Sequence, residues 1–207
     1  MEKKEDFVKS YYSGFSKLLN ISLDDFIKYY EESSYGGYPE EASGSIWESE
    51  GKSIYVLIRA LKPEKILEIG NFKGKSSNHI LEAVDKNRFG KVVLLDIEER
   101  LEYDKLHNND FYRVIDDSLN YLSKPIDFDL IIQDGDHRYE HVKKEISLIL
   151  KNNIRSSYHI WSHDYYVRNK PNVCEVYKAW DEMKNNFKNF ESFIDSKSDC
   201  GFSIAKK

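Results

Sequence analysis

The stretch Lys65-Ile66-Leu67-Glu68-Ile69-Gly70-Asn71-Phe72-Lys73-Gly74-Lys75-Ser76-Ser77 is the one around which the rest of the chain is organised. Ile66, Leu67 and Ile69 are the short apolar run of a buried parallel strand. That run passes straight into a turn in which Gly70 and Gly74 let backbone approach a ligand with no Cβ in the way. Ser76 or Ser77 is then the expected cap of a helix whose apolar face is Ile80, Leu81 and Val84. The open N–H groups of such a helix start attract a polar or anionic ligand group. The spacing is Gly-x-x-x-Gly, not Gly-x-Gly-x-x-Gly, which argues against a dinucleotide pyrophosphate cradle.

Downstream of this turn, apolar runs at 91–96, 111–115, 128–133 and 158–162 predict four more strands. Helical spacing appears between them, most clearly over 138–152 and over 172–187, where Val173, Val176, Tyr177, Trp180 and Phe187 would face inward. Two closing strands, 190–194 and 202–205, would supply an antiparallel edge. Upstream, Phe7, Val8, Tyr11, Phe15, Leu18 and Leu19 are helically spaced, and Ser22 with Asp25 forms a capping-box pattern before a second helix. A third helix over about 46–61 would turn Trp47, Ile54, Leu57, Ile58 and Leu61 inward and stop at Pro63. Residues 33–44, rich in glycine, serine and tyrosine, read as a loop or as a lid over a substrate. The alternation of strands and helices implies an α/β fold with a mostly parallel sheet covered on both faces. Residues 46–207 would form that domain, and residues 1–45 an N-terminal helical extension carrying the candidate lid.

The 207 residues suit one domain with a full core. A net charge of −5 with dispersed lysines gives no basic stripe, so neither nucleic acid nor an anionic membrane surface is an expected partner. No apolar run is long enough to span a bilayer. Cys174 and Cys200 lack metal-ligand spacing, and no signal-like segment follows Met1, so reduced thiols in the cytoplasm are the expected state. The tyrosines and phenylalanines are expected chiefly in the core.

In an open parallel sheet, ligands bind beyond the carboxyl ends of the strands. Here those ends carry Gly70, then Asp96, then Asp116-Asp117-Ser118, then Asp134-Gly135-Asp136-His137, then His163-Asp164-Tyr165. Each acid alone is an ordinary cap or turn former, but together they mark one edge. Asp96 lies at about the offset from the glycine turn at which an acid meets a ribose in nucleotide-binding βαβ units. His79, His107, His141 and His159 have no comparable setting and read as surface or core residues.

The pattern Glu68-x-Gly70-x-x-x-Gly74 resembles the first motif of class I S-adenosylmethionine (SAM)-dependent methyltransferases. The segments Asp134-Gly135-Asp136-His137 and His163-Asp164 resemble signatures of a methyltransferase group that includes sugar O-methyltransferases of antibiotic tailoring. The resemblance covers roughly residues 48–205. It implies a Rossmann-like seven-stranded sheet, mostly parallel, with an antiparallel last strand. It also implies that Glu68, Gly70, Gly74, Ser76, Asp96, Asp117, Ser118 and Asp134 bind SAM, and that His137 is the general base. By position, Asp134, Asp164 and His163 would hold a divalent cation, Mg²⁺ or Mn²⁺. The chain departs from the pattern at Arg155-Ser156-Ser157, where a glycine pair is usual. It departs again at His163, where a carboxylate is usual, and at Tyr165, where catechol-type relatives carry asparagine. The implied partner is a small-molecule acceptor with a free hydroxyl, association of identical chains being left open. The rival reading is a SAM- or nucleotide-binding or interaction protein that keeps the fold without methyl transfer.

Overall fold

The computed structural model describes residues 11–33, 46–102, 106, 110–170, 172–194 and 200–207. Helix α1 covers the described residues 11–18 and is followed by α2 (Leu23–Glu32), α3 (Glu48–Leu61), β1 (Lys65–Ile69), α4 (Lys75–Asn87), β2 (Lys91–Asp96) and β3 (Tyr112–Ile115). Then come α5 (Ser118–Leu122), β4 (Leu130–Gln133), α6 (Tyr139–Asn152), β5 (His159–His163), α7 (Val176–Met183), a short 3₁₀ turn (Lys184–Asn186), β6 (Asn189–Phe193) and β7 (Phe202–Lys206).

The strands form one sheet in the order β3-β2-β1-β4-β5-β7-β6. Strands β1 to β5 pair in parallel, whereas β7 runs antiparallel to both β5 and β6 and lies between them. Alternation along each strand divides the core in two. Ile66, Leu94, Ile132, Trp161 and Ile204 point to the face covered by α1 to α4. Leu67, Leu95, Ile131, Ile160 and Ala205 point to the face covered by α5 to α7. The N-terminal helices belong to the first of these cores. Phe15 meets Phe26 at 5.3 Å between ring centroids, Tyr11 meets Phe202 at 5.5 Å, and the Trp161 indole N–H donates to Ser53 Oγ at 3.0 Å. Burial of whole aromatic side chains of this size is worth on the order of 1.5–3 kcal/mol each.

Several local expectations are corrected. Helix α4 is capped by Gly74 at φ 97°, with Ser76 and Ser77 inside its first turn. Both serines turn back toward β1 instead. Trp47 does not face inward but sits at the N-cap of α3, 42 % exposed. The helix expected over 172–187 is confined to α7 and the 3₁₀ turn, and Val173 is exposed. His163 is the last residue of β5 rather than the first after it. The candidate lid lies outside the described residues except for Ser33, which is buried and hydrogen-bonds the His79 ring at 3.2 Å. Among the described residues, no helix is long and apolar enough to cross a membrane.

Candidate active site

The glycine turn is pinned between two neighbouring strands. Gly70 adopts φ 82° and donates its N–H to Leu95 O at 2.9 Å, while Asp134 N donates to Ile69 O at 2.9 Å. A Cβ on Gly70 would stand 2.2 Å from the Asp134 carbonyl oxygen. The absent side chain thus makes room first for the end of β4, and only through it for a ligand. Behind the turn, Ser77 Oγ donates to Glu68 Oε2 at 2.5 Å. Burial pushes the Glu68 carboxyl up to about 7, against the opposing pull of the Ser76 and Ser77 hydroxyls.

A cleft of 910 Å³ opens over the carboxyl ends of the strands. Gly70, Asp96, Asp117, Ser118, Asp134, His137, His163 and Asp164 all line it. Glu68, Gly74 and Ser76 do not, so this part of the motif braces the turn rather than forming the wall. Asp96 is 8 % exposed. Its Oδ2 accepts from Phe72 N at 2.9 Å and its Oδ1 from Glu98 N at 3.3 Å, which fixes the carboxylate and leaves each oxygen capacity for one more donor. Asp117 caps α5 through the N–H groups of Leu119 and Asn120. Ser118 Oγ donates to the fully buried Glu145 at 2.5 Å, and Gln133 Nε2 donates to the same carboxylate at 2.7 Å.

In the same cleft, two histidines and two aspartates alternate. His137 Nε2 lies 3.1 Å from Asp134 Oδ1 and its Nδ1 lies 3.3 Å from Asp164 Oδ2. His163 Nδ1 lies 3.0 Å from the same Asp134 Oδ1, and its Nε2 lies 2.9 Å from Oε2 of the buried Glu50. Burial alone would push His163 down, but Asp134 and Glu50 outweigh it and hold the ring well above the ordinary histidine value. Burial would likewise raise Asp134; the His163 and His137 rings instead bring it down to about 2. For His137, burial is again overcome by Asp134 and Asp164, and its value moves up.

Residues 67–165 match the family model described as a methyltransferase domain. That likeness spans β1 to β5. No curated protein matches the chain. Among solved structures, it is similar to the S-adenosylhomocysteine (SAH)-bound methyltransferase PaMTH1 of Podospora anserina, with 18 % identity over 100 % of this chain and 96 % of that one, at a TM-score of 0.61. It is also similar to an O-methyltransferase from Bacillus cereus in complex with SAH, with 17 % identity, 93 % and 94 % coverage and a TM-score of 0.59. A third is the O-methyltransferase TomG of Streptomyces achromogenes, involved in tomaymycin synthesis and bound to SAM, with 16 % identity, 99 % and 98 % coverage and a TM-score of 0.55. At these identities the likeness is one of fold.

The cleft also contains residues that sequence reasoning passed over. His141, expected at the surface or in the core, lines the cleft and approaches Glu145 Oε1 at 3.2 Å. Its position four residues after His137 and four before Glu145 was the available signal. Trp47 and Arg100 line the cleft as well. Glu50 has no such signal, because it meets His163 only through the tertiary fold.

The donors of the cleft do not fit a hard divalent cation. Mg²⁺ and Mn²⁺ favour oxygen, yet the third residue of the expected set, His163, offers nitrogen, and both of its ring nitrogens already face carboxylates, Asp134 at 3.0 Å and Glu50 at 2.9 Å. Among the described residues, the groupings close enough to hold an ion are His137, Asp164 and Cys174, and His163, Asp164 and Cys200. Each includes a thiol, a soft donor that suits neither Mg²⁺ nor Mn²⁺, and burial pushes the thiols up to about 12 for Cys174 and about 11 for Cys200.

Proposed function

We propose that this chain is a SAM-dependent methyltransferase that methylates a hydroxyl oxygen of a small molecule and works without a divalent cation. The reading is carried by one observation: in a single cleft, the fixed Asp96 carboxylate stands beside the Gly70 turn, and His137 stands between two carboxylates. When bound, SAM supplies a methyl group already activated on a sulfonium. The residues present fit it. Asp96 has the remaining acceptor capacity for a pair of ribose hydroxyls. Asn71, between the lining residues Gly70 and Phe72, is buried with neither side-chain amide atom hydrogen-bonded, and would meet polar groups at the amino-acid end.

His137 would take the acceptor's proton. Its Nδ1 contact with Asp164 is the longer of the two, so this is the one an acceptor hydroxyl displaces. Nε2–H then remains held by Asp134. Enclosure by the cleft would limit how the acceptor hydroxyl can lie, and such orientation is most of the catalysis a transfer of this kind needs. The acceptor is a small molecule, with Trp47 at the mouth of the cleft as an aromatic surface against which it can lie. The two free thiols suit a reducing compartment such as the cytoplasm.

Two measurements test this. Asp96→Ala should weaken SAM binding by about 1–3 kcal/mol in calorimetry while the fold persists; an unchanged dissociation constant would remove Asp96 from the cofactor site. Methyl transfer by the wild type should be unaffected by EDTA. A chelator that abolishes turnover, with activity restored by Mg²⁺, would overturn the cation-free reading.

A further inference from the structure

Glu50 lies outside the segment that matches the methyltransferase domain, on a helix that contributes to the core beside the sheet. It is nonetheless fully buried at the edge of the reaction chamber. Its Oε2 accepts twice, from Trp47 N at 2.8 Å and from His163 Nε2 at 2.9 Å. The first bond closes the start of α3, a task that any N-terminal acid can perform at the surface. The second is costly to leave unmade, since an imidazole ring buried beside Asp134 needs a partner on its far nitrogen. His163 is itself held flat against Trp161, with ring centroids 5.8 Å apart and planes 7° from parallel. Its rotation is therefore settled by packing, and its two N–H vectors by Glu50 and Asp134.

We propose that Glu50 is a positioning residue which acts through His163 and Asp134 to fix the ring of His137. Asp134 Oδ1 is shared, 3.0 Å from His163 Nδ1 and 3.1 Å from His137 Nε2. With His163 clamped by Glu50, that oxygen is held where it can accept from His137 Nε2–H, and Nδ1 is left to receive a proton. Without Glu50, His163 loses one anchor, Asp134 gains freedom to turn, and His137 can occupy either tautomer. The inference rests on the role given above to His137, and it adds a residue that neither the glycine turn nor the strand ends point to.

The test uses the full chain with SAM bound, comparing wild type, Glu50→Gln, Glu50→Ala and His163→Gln. Glutamine keeps the volume and one acceptor oxygen, so Glu50→Gln remains folded even where Glu50→Ala does not. Histidine ring ¹H–¹⁵N correlation spectra at alkaline pH should show His137 in the wild type as a single tautomer protonated on Nε2. In Glu50→Gln and in His163→Gln a mixture should appear. With tritiated SAM and a panel of catechols and monosaccharides as acceptors, Glu50→Gln should lower kcat by roughly 5–20-fold with acceptor KM and SAM affinity unchanged, in line with the loss from a displaced supporting group. The double variant Glu50→Gln/His163→Gln should be no slower than the slower single one. An unchanged His137 tautomer in folded Glu50→Gln, or losses that multiply in the double variant, would overturn the proposal. Absence of SAM binding or of methyl transfer in the wild type sinks the reading of function instead, and the spectra still decide the placement of His137.

Discussion

Replacing His137 by alanine should lower turnover by roughly 10²–10⁴-fold, the usual contribution of a general base, and leave SAM affinity as it was. The side chain stands beyond β4 among Asp134, Asp164 and His163. It makes none of the contacts that fix Asp96, so cofactor binding should not register its loss. The pH dependence has a definite sign. A base works when unprotonated, and the neighbouring carboxylates move His137 upward from 6.5. Turnover in the wild type should therefore rise with pH and reach half its plateau above 6.5, not below. Full activity of His137→Ala, or a plateau already reached at more acidic pH, would take the proton-accepting role from this residue.

Gly70→Ala should destabilise the protein by roughly 2–5 kcal/mol, from the left-handed backbone and from collision with packed neighbours. The added Cβ would press on the Asp134 carbonyl oxygen at 2.2 Å, its carbon at 2.6 Å and Gly135 Cα at 2.7 Å, all of them backbone atoms that no rotamer change can move. For a chain of this length the melting temperature should fall by about 5–15 °C. Because β4 would be pushed from the turn, SAM binding should be lost as well. A thermal melt indistinguishable from wild type would show that the turn is not confined as described.

Much of the architecture could be read from the chain because strand burial and the strand-end rule are both local. Val92, Leu94 and Leu95 could only belong to a covered strand, and the acid that follows them had to emerge on the ligand edge. That logic singled out Asp96, Asp134, His137 and Asp164, and all four line one cleft. Side-chain direction at the first turn of α4 was not legible. Serines at a helix start usually cap it, and only the burial of Glu68 behind the turn draws Ser77 the other way. Trp47 was placed inward by a helical wheel that it does not join, since it is the residue before the first turn. Glu50 stayed hidden because 113 residues separate it from His163, and pairing at that separation leaves no periodic trace. The metal expectation came from two aspartates whose positions are as expected; a histidine held by carboxylates on both sides is what makes the donor set unsuitable.

The place of β7 has a bearing on how the molecule is made. Its Phe202, Ser203, Ile204 and Ala205 are wholly buried, and it fills the gap between β5 and β6. A ribosome that has released the chain through residue 165 has delivered five of the seven strands, and the outer edge of β5, which carries Trp161 and His163, still has no neighbour. Until residues 202–206 emerge, that edge is an open template for pairing with other chains. The clamp on Asp134, built on the last residue of β5, thus gains its outer support only when residues 202–206 pair beside it.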